Sequence, residues 1–201
     1  MTKKADGRTA RRDRNSEAVL DTVHEMFVEG NFAPSVEEVA VRSGVSLRSV
    51  YRYFQDTDDL LQRAIARRVE LVGDLYALDR LGEGTRAERV QALVDQRLQL
   101  HAKLAPTIRA AMLRASESPR IAAQVSNRRE LLADQVVAHF EPELGRLDRA
   151  RRAEVASCVD ALCSFESLEL LRVRSGLSPS RARRALVSGV TALLSQVDGT
   201  D

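Results

Sequence analysis

The segment from Ser35 to Phe54 constrains the fold more than any other part of this sequence. Ser35 and Glu38 have the spacing of a capping box, so a helix is predicted to begin directly after Ser35. Gly44 can adopt the left-handed conformation that ends a helix, and Ser46 follows in position to cap another. Two short helices joined by a turn with a central glycine are typical of a helix-turn-helix.

The rest of the chain has helical periodicity. Apolar residues recur at helical spacing in nearly every segment, and no segment alternates with a period of two. We therefore predict an all-α fold of about nine helices, with an N-terminal three-helix domain that contains the helix-turn-helix and a larger C-terminal helical domain. Proline and glycine positions place the later helices, with approximate ends, over residues 58–78, 86–104, 106–116, 119–140, 148–175 and 179–197.

Composition narrows the class of protein. Hydrophobic residues make up 44% of the chain and charged residues 30%, a mixture that can bury a core. No apolar run approaches the ~18–20 residues of a membrane span, and the start of the chain lacks the pattern of a secretion signal. We expect a cytoplasmic protein that makes no contact with a membrane.

The second helix of the motif has two distinct faces. At about 100° per residue, Val50 and Phe54 fall near one stripe of this helix, which we expect to pack. Arg48 and Arg52 lie roughly opposite and are expected to point outward. Guanidinium and hydroxyl groups on an outward face can read guanine edges and hold phosphate oxygens. A solvated face without a partner is the alternative, but the capped helix and glycine turn that precede this helix favour DNA binding. The residues that flank the arginine face are also polar: Ser49 and Tyr51.

The N-terminal part of the chain resembles the TetR-type transcriptional regulators. This resemblance implies an all-α fold, sequence-specific binding to a palindromic operator in double-stranded DNA, a homodimer, and a C-terminal domain that binds a small-molecule effector. The segments that carry the resemblance are Phe27–Gly30, Ser35–Ala40, Ser43–Ser46 and Val50–Phe54, followed by an acidic helix start with Leu60 and Leu61.

The resemblance also implies which residues bind DNA. Thr57 stands where the family commonly has a lysine that grips phosphate, so it can donate a hydrogen bond but adds no charge. We expect Asp56 to cap the next helix, and Asp58 and Asp59 to favour its dipole rather than face DNA. Arg48 is expected to read a base, and Arg52 to hold phosphate together with Tyr51 and Tyr53. The full set of candidate DNA-binding residues is Ser35, Arg42, Ser46, Leu47, Arg48, Ser49, Tyr51, Arg52, Tyr53 and Thr57.

Charge is placed unevenly along the chain. The net charge is only +2, so affinity for nucleic acid must come from local clusters. Residues 1–14 carry six Lys or Arg side chains and two Asp side chains, a net charge of +4, and are predicted to form a flexible basic arm. The predicted domains are this arm over 1–14, the helix-turn-helix domain over 15–57, and the effector-binding and dimerisation domain over 58–201.

The C-terminal domain offers candidates for an effector pocket. His101 shares a helical stripe with apolar residues, although it can equally be a satisfied histidine of the core or of an interface. Glu166 is either an acid of the pocket or a polar residue of an interface. The candidate pocket residues are His101, Ile108, Met112, Phe165 and Glu166.

The last two predicted helices are rich in apolar and small residues. Close approach of another helix would be allowed by the small residues of the last helix, which suggests a homodimer built as a four-helix bundle. These residues are Ala182, Ala185, Gly189 and Ala192. Burial within a single chain is the alternative explanation. Cys158 and Cys163 are expected to be buried and without redox or metal chemistry.

No catalytic, metal or cofactor motif accompanies these features. The three histidines lie in separate predicted helices, without a nearby nucleophile pattern. We therefore expect no enzyme activity, cofactor or metal. The function expected is that of a sequence-specific transcriptional regulator, a repressor that a small-molecule effector releases from DNA. The alternative is a DNA-binding dimer whose C-terminal domain binds a protein partner and no small ligand.

Overall fold

The computed structural model describes residues 3–199, and this part of the chain is helical with no β-strand, which confirms the predicted all-α class. None of the described helices is long and apolar enough to cross a lipid bilayer. A 3₁₀ turn covers Gly73–Tyr76, and a π-helical turn covers Leu170–Arg174. The α-helices are α1 (Lys3–Val28), α2 (Val36–Ser43), α3 (Leu47–Tyr53), α4 (Thr57–Glu70), α5 (Arg86–Arg114), α6 (Pro119–His139), α7 (Glu141–Leu144), α8 (Arg149–Leu162), α9 (Phe165–Glu169) and α10 (Pro179–Ser195).

The chain divides into two compact units. The N-terminal unit contains the chain up to Leu71 together with Pro106–Val125, and the C-terminal unit contains Val72–Ala105 and the chain from Ser126 onward. The N-terminal unit is thus larger than the domain predicted over 15–57, because side chains of α4, α5 and α6 enter the same core. The most deeply buried residues of this core include Val19, Val23, Phe27, Val39, Val50, Phe54, Leu60, Leu61, Ala110 and Ile121.

The first helix differs from its prediction. Residues 1 and 2 of the predicted basic arm lie outside the described residues, and the chain from Lys3 onward is part of α1. The segment contains no proline, and its Ala, Arg and Lys residues favour helix. The apolar stripe further along α1 is buried and anchors the whole helix.

The helix-turn-helix forms through the predicted caps. The Ser35 hydroxyl accepts a hydrogen bond from the Glu38 N–H at 3.2 Å, and the Glu38 carboxylate accepts one from the Ser35 N–H at 2.8 Å. Gly44 ends α2 with a φ of 67°, in the left-handed region. Ser46 caps α3 by accepting a hydrogen bond from the Ser49 N–H at 3.4 Å. These local bonds satisfy backbone groups that a short helix leaves unpaired at its ends.

Helix α5 continues through a proline that was expected to separate two helices. The predicted helices 86–104 and 106–116 form the single helix α5, with Pro106 inside it. An interior proline removes one backbone hydrogen bond and costs about 3 kcal/mol. Leu104 and Thr107, on either side of the proline, are fully buried, and packing at both positions offsets this cost.

Three other predictions differ from the structure. Helix α4 ends at Glu70 rather than near residue 78. The helix predicted over 148–175 ends at Leu162, because the Ser164 hydroxyl accepts a hydrogen bond from the Ser167 N–H at 3.2 Å and begins α9. Cys163 is buried as expected, whereas Cys158 is exposed.

The left-handed turn at Gly44 allows a direct test of this fold. We expect Gly44→Ala to lower the free energy of unfolding by roughly 1–2 kcal/mol, because a Cβ disfavours positive φ. No atom lies within 4 Å of the position of the added Cβ, so the loss would reflect backbone conformation rather than a clash. Gly73→Ala is the matched control, since Gly73 has equally open surroundings and no positive φ. Urea denaturation of both variants checks this, and equal stability would contradict the account of the turn.

Candidate nucleic-acid interface

Helix α3 has the two faces that its sequence predicts. Val50 and Phe54 are buried at 0% and 1% exposure, which confirms the predicted packing stripe. Arg48 and Arg52 are exposed on the other side of the helix. The buried stripe therefore turns both guanidinium groups toward solvent.

The two arginines differ in their surroundings. Within the described part of the chain, the Arg48 guanidinium has no hydrogen-bond or ion-pair partner, and it lies in the first turn of α3. Arg52 Nη2 donates a hydrogen bond to the Tyr53 hydroxyl at 3.2 Å, and its guanidinium lies 5.2 Å from the centre of the Tyr53 ring. Arg48 is thus free to reach a ligand, whereas Arg52 is partly held by its neighbour.

Tyr53, a candidate DNA-binding residue, is placed mainly in the core. Its side chain is buried, and the hydrogen bond from Arg52 lowers the pKa of its phenol. Val50, Tyr53 and Phe54 have the i, i+3, i+4 spacing of a single helix face, so the sequence carried the signal for this burial. Its hydroxyl accepts the hydrogen bond from the exposed Arg52 side chain.

Tyr51 is bound to a residue that the sequence reasoning did not select. Its hydroxyl donates a hydrogen bond to Glu37 Oε1, in the first turn of α2, at 3.1 Å. This bond raises the pKa of the Tyr51 phenol. Both side chains are exposed, so the pair lies on the outer surface of the helix-turn-helix. The two residues are 14 positions apart, and their contact depends on how α2 and α3 pack.

The exposed Arg42 side chain is paired with carboxylates of the same chain and is not free to bind DNA. Both of its terminal nitrogens bond to the carboxylate of Glu29, and Glu25 lies 3.7 Å away. The hydrogen bonds that Arg42 donates to Glu29 raise the pKa of Arg42 and lower that of Glu29. These carboxylates offset the charge of Arg42, which locks α2 to α1.

The remaining candidates lie at helix starts. The hydroxyls of Ser35 and Ser46 are occupied as helix caps, and Ser49 Oγ accepts a hydrogen bond from Ser46 Oγ at 2.9 Å. Leu47 is 39% exposed beside Arg48. Thr57 is the half-exposed first residue of α4.

The acidic residues around Thr57 stabilise the start of α4, as expected. Asp56 caps the helix by accepting a hydrogen bond from the Asp59 N–H at 2.7 Å. Asp59 is buried, accepts a hydrogen bond from the Gln55 N–H at 3.0 Å, and pairs with Arg63 at 2.8 Å. The carboxylates of Asp56 and Asp59 therefore have partners within the protein.

The geometry agrees with a comparison against known families. Residues 19–64 match the family model for bacterial regulatory proteins, tetR family. The N-terminal segment of the chain is thus similar to that family. The helix-turn-helix at 36–53 lies inside the matched segment.

Solved structures share the fold of this chain. A TetR-family transcriptional regulator from Streptomyces coelicolor matches with a TM-score of 0.73 and 21% identity, over 94% of this chain and 84% of that chain. A transcriptional regulator from Rhodococcus sp. matches with a TM-score of 0.69 and 22% identity, over 92% of this chain and 96% of that chain. No curated protein matches the sequence.

The candidate pocket residues are distributed over both units. His101 Nε2 lies 2.6 Å from Glu169 Oε1, and the His101 ring centre lies 5.4 Å from that of Phe165. Glu166 is exposed and pairs with Arg129. The other two candidates, both half-buried and both in the N-terminal unit, are Ile108 and Met112.

A buried arginine precedes His101 by one turn of α5. Arg97 is 3% exposed and donates hydrogen bonds to Gln135 Oε1 at 2.7 Å and to the Leu132 carbonyl at 2.9 Å. Burial lowers its pKa. Arg97 is therefore held by neutral oxygens inside the C-terminal unit.

The hydrogen bond between Glu37 and Tyr51 predicts how the tyrosines titrate. As pH rises toward the ordinary tyrosine pKa of about 10, Tyr53 should lose its proton first, because Arg52 lowers its pKa. The pKa values of Tyr51 and Tyr76 are raised, the first by Glu37 and the second by burial. Glu37→Ala should lower the pKa of Tyr51 and leave that of Tyr76 unchanged. Carbon-13 NMR of the tyrosine Cζ atoms measures this, and an unmoved Tyr51 would show that the bond does not form in solution.

Proposed function

We propose that this chain is a dimeric repressor that binds a palindromic operator through α3 and is released from it by a small-molecule effector. The observation that carries the proposal is the outward face of α3. Arg48 is exposed there, opposite the buried Val50 and Phe54, and has no partner among the described residues. A regulator of this kind acts in the cytoplasm and needs no membrane. Two copies of α3 would enter successive major grooves about 34–36 Å apart along the DNA.

The two arginines of α3 are assigned different roles. Arg48 lies in the first turn of the helix, the end that commonly contacts base edges in a helix-turn-helix. Its planar guanidinium can donate two hydrogen bonds to the O6 and N7 atoms of guanine. Arg52 lies one turn later, beside the Tyr53 hydroxyl, and we assign it to a phosphate.

Substitution of each arginine separates these roles. Arg48→Ala should weaken binding to the operator by about 1–3 kcal/mol and relax the preference at one base pair of each half-site. Arg52→Ala should weaken binding to operator and random DNA alike, because a phosphate contact carries no sequence information. Titration of both variants against the operator, a point-substituted operator and random DNA tests the assignment. An Arg48→Ala protein that discriminates as sharply as the wild type would mean that α3 docks in another orientation.

The N-terminal segment is proposed to add affinity that does not depend on sequence. Arg11, Arg12 and Arg14 are exposed on α1, and lysine and arginine neutralise phosphates with release of counterions. Residues 1–14 would thus act as a basic extension beside the helix-turn-helix.

Removal of residues 1–14 should weaken binding to all DNA and reduce the salt dependence of binding. Each lost phosphate contact lowers the slope of log affinity against log salt by about 0.9. Affinities of the full chain and the truncated chain, measured between low and physiological salt, give the two slopes. Identical slopes would exclude a role for this segment.

The proposed dimer surface lies on α8 and α10. Within one chain these helices pack through apolar residues that include Val159, Leu186 and Val190. A Cβ at Gly189 would lie 3.3 Å from Leu162 of the same chain, so this glycine also serves packing inside the protomer. The small residues that remain exposed on α8 and α10 include Ala153, Ser157, Cys158, Ala161, Ala185, Ser188 and Ala192. A second copy would cover this face and complete a four-helix bundle.

A charged side chain on this surface should separate the dimer. We expect Ala185→Arg to yield monomers with weak operator binding, because the long side chain would lie where two helices approach. Ala102→Arg is the matched control, since Ala102 is also exposed on a helix of the C-terminal unit. Sedimentation velocity compares the two variants. If Ala185→Arg remains a dimer with normal DNA affinity, the interface lies elsewhere.

The effector is proposed to bind near His101. The hydrogen bond between His101 and Glu169, and the contact of the His101 ring with Phe165, fit either a polar group at a pocket or a satisfied histidine of the core. The second candidate function keeps DNA binding but gives the C-terminal unit a protein partner and no small ligand. A thermal-shift screen distinguishes the two, because a ligand that binds the native state raises its stability. A compound that both stabilises the protein and releases DNA supports the repressor, and a screen without such a compound favours the protein partner.

A further inference from the structure

We propose that Glu37 and Tyr51 act together as a base-reading pair that accepts a hydrogen bond from the exocyclic amino group of cytosine or adenine in the major groove. This assignment replaces the expectation that Tyr51 holds a phosphate. It rests on the proposed entry of α3 into the major groove, and it adds a specificity-determining residue, Glu37, from outside that helix.

The argument begins with the single hydrogen of the Tyr51 hydroxyl. That hydrogen is donated to Glu37 Oε1 at 3.1 Å. Phosphate oxygens carry no hydrogen at neutral pH, so a hydroxyl can bind them only by donating. A bond from Tyr51 to phosphate and its bond to Glu37 therefore exclude each other.

The pair still has lone pairs available to DNA. A hydroxyl oxygen has two acceptor sites and a carboxylate about four, and both groups are exposed. In the major groove, the N4 amino group of cytosine and the N6 amino group of adenine are the base-edge hydrogen-bond donors. An acceptor-only surface therefore fits these amino groups and no other polar group of the base edges.

The charge of Glu37 also favours the amino group of a base over a phosphate as the partner of this pair. An exposed carboxylate is repelled by phosphates and attracted by the positive hydrogens of an amino group. The bond also raises the pKa of the Tyr51 phenol, because it favours the protonated form that donates to Glu37. Glu37 thus disfavours a contact between Tyr51 and the DNA phosphates and favours a contact with the amino group of a base.

Tyr51 also lies beside the proposed guanine reader. Arg48 and Tyr51 are three residues apart on α3, which makes them neighbours on the helix surface. Arg48 offers only donors, whereas the pair of Glu37 and Tyr51 offers only acceptors. Side by side, these groups can read a guanine and an amino-bearing base at an adjacent position.

The test compares Tyr51→Phe, Glu37→Ala and the double variant on the operator selected by the wild type. We expect each single variant to lose about five- to tenfold in preference at the same base pair, and the double variant to lose no more than either one. Both residues are exposed and both changes shorten a side chain, so folding should be preserved. Glu70→Ala is the control, because it removes an exposed acid from the same unit. It should keep the full preference of the wild type at the tested base pair.

A modified base identifies the contacted atom. N4-methylcytosine or N6-methyladenine at the affected position removes the amino hydrogen that faces the major groove. The wild type should then bind more weakly, while Tyr51→Phe should be insensitive to the methyl group. Uniform weakening of Tyr51→Phe on specific and random DNA would overturn the proposal and assign Tyr51 to phosphate. A wild type that selects no operator at all would instead refute the proposed function, so the two failures are distinguishable.

Discussion

Burial of one side of α3 is the constraint on which the proposed DNA interface depends. This helix has seven residues, well below the ~12–15 at which an isolated helix becomes even marginally stable in water. It forms because Val50, Tyr53 and Phe54 are buried in a core shared with α1, α2 and α4. The same packing fixes the opposite face, so the direction of Arg48 follows from where Val50 and Phe54 are buried. The proposed DNA-reading surface is therefore a consequence of core packing.

Hydrogen bonds between side chains on the surface of the helix-turn-helix then decide which polar groups remain available to a ligand. Arg42 is engaged by Glu29, and Tyr51 by Glu37, so neither side chain is a free donor. Arg48 keeps its donors, since no partner for it lies in the described part of the chain. In the proposed complex, the helix-turn-helix would thus offer DNA a donor at Arg48 and an acceptor surface at Tyr51.

Local signals made much of this predictable from sequence. The capping box at Ser35, the left-handed Gly44 and the buried stripe of α3 depend on residues within four positions of each other, and all three are present as predicted. The pairs Arg42–Glu29 and Tyr51–Glu37 span 13 and 14 positions, so they depend on tertiary packing that no local pattern encodes. Tertiary packing also carries α5 through Pro106, and a single capping serine, Ser164, interrupts the helix predicted over 148–175.

The central claim is that two copies of this chain present α3 to DNA in a sequence-specific way. Selection of bound sequences from a random DNA pool by the full-length protein tests it most directly, because it reports sequence preference and dimer symmetry in one result. The account predicts a palindromic consensus whose half-sites are centred about 10–10.5 base pairs, or a multiple of this, apart. A pool without a consensus, or a consensus with a single unrepeated half-site, would contradict it.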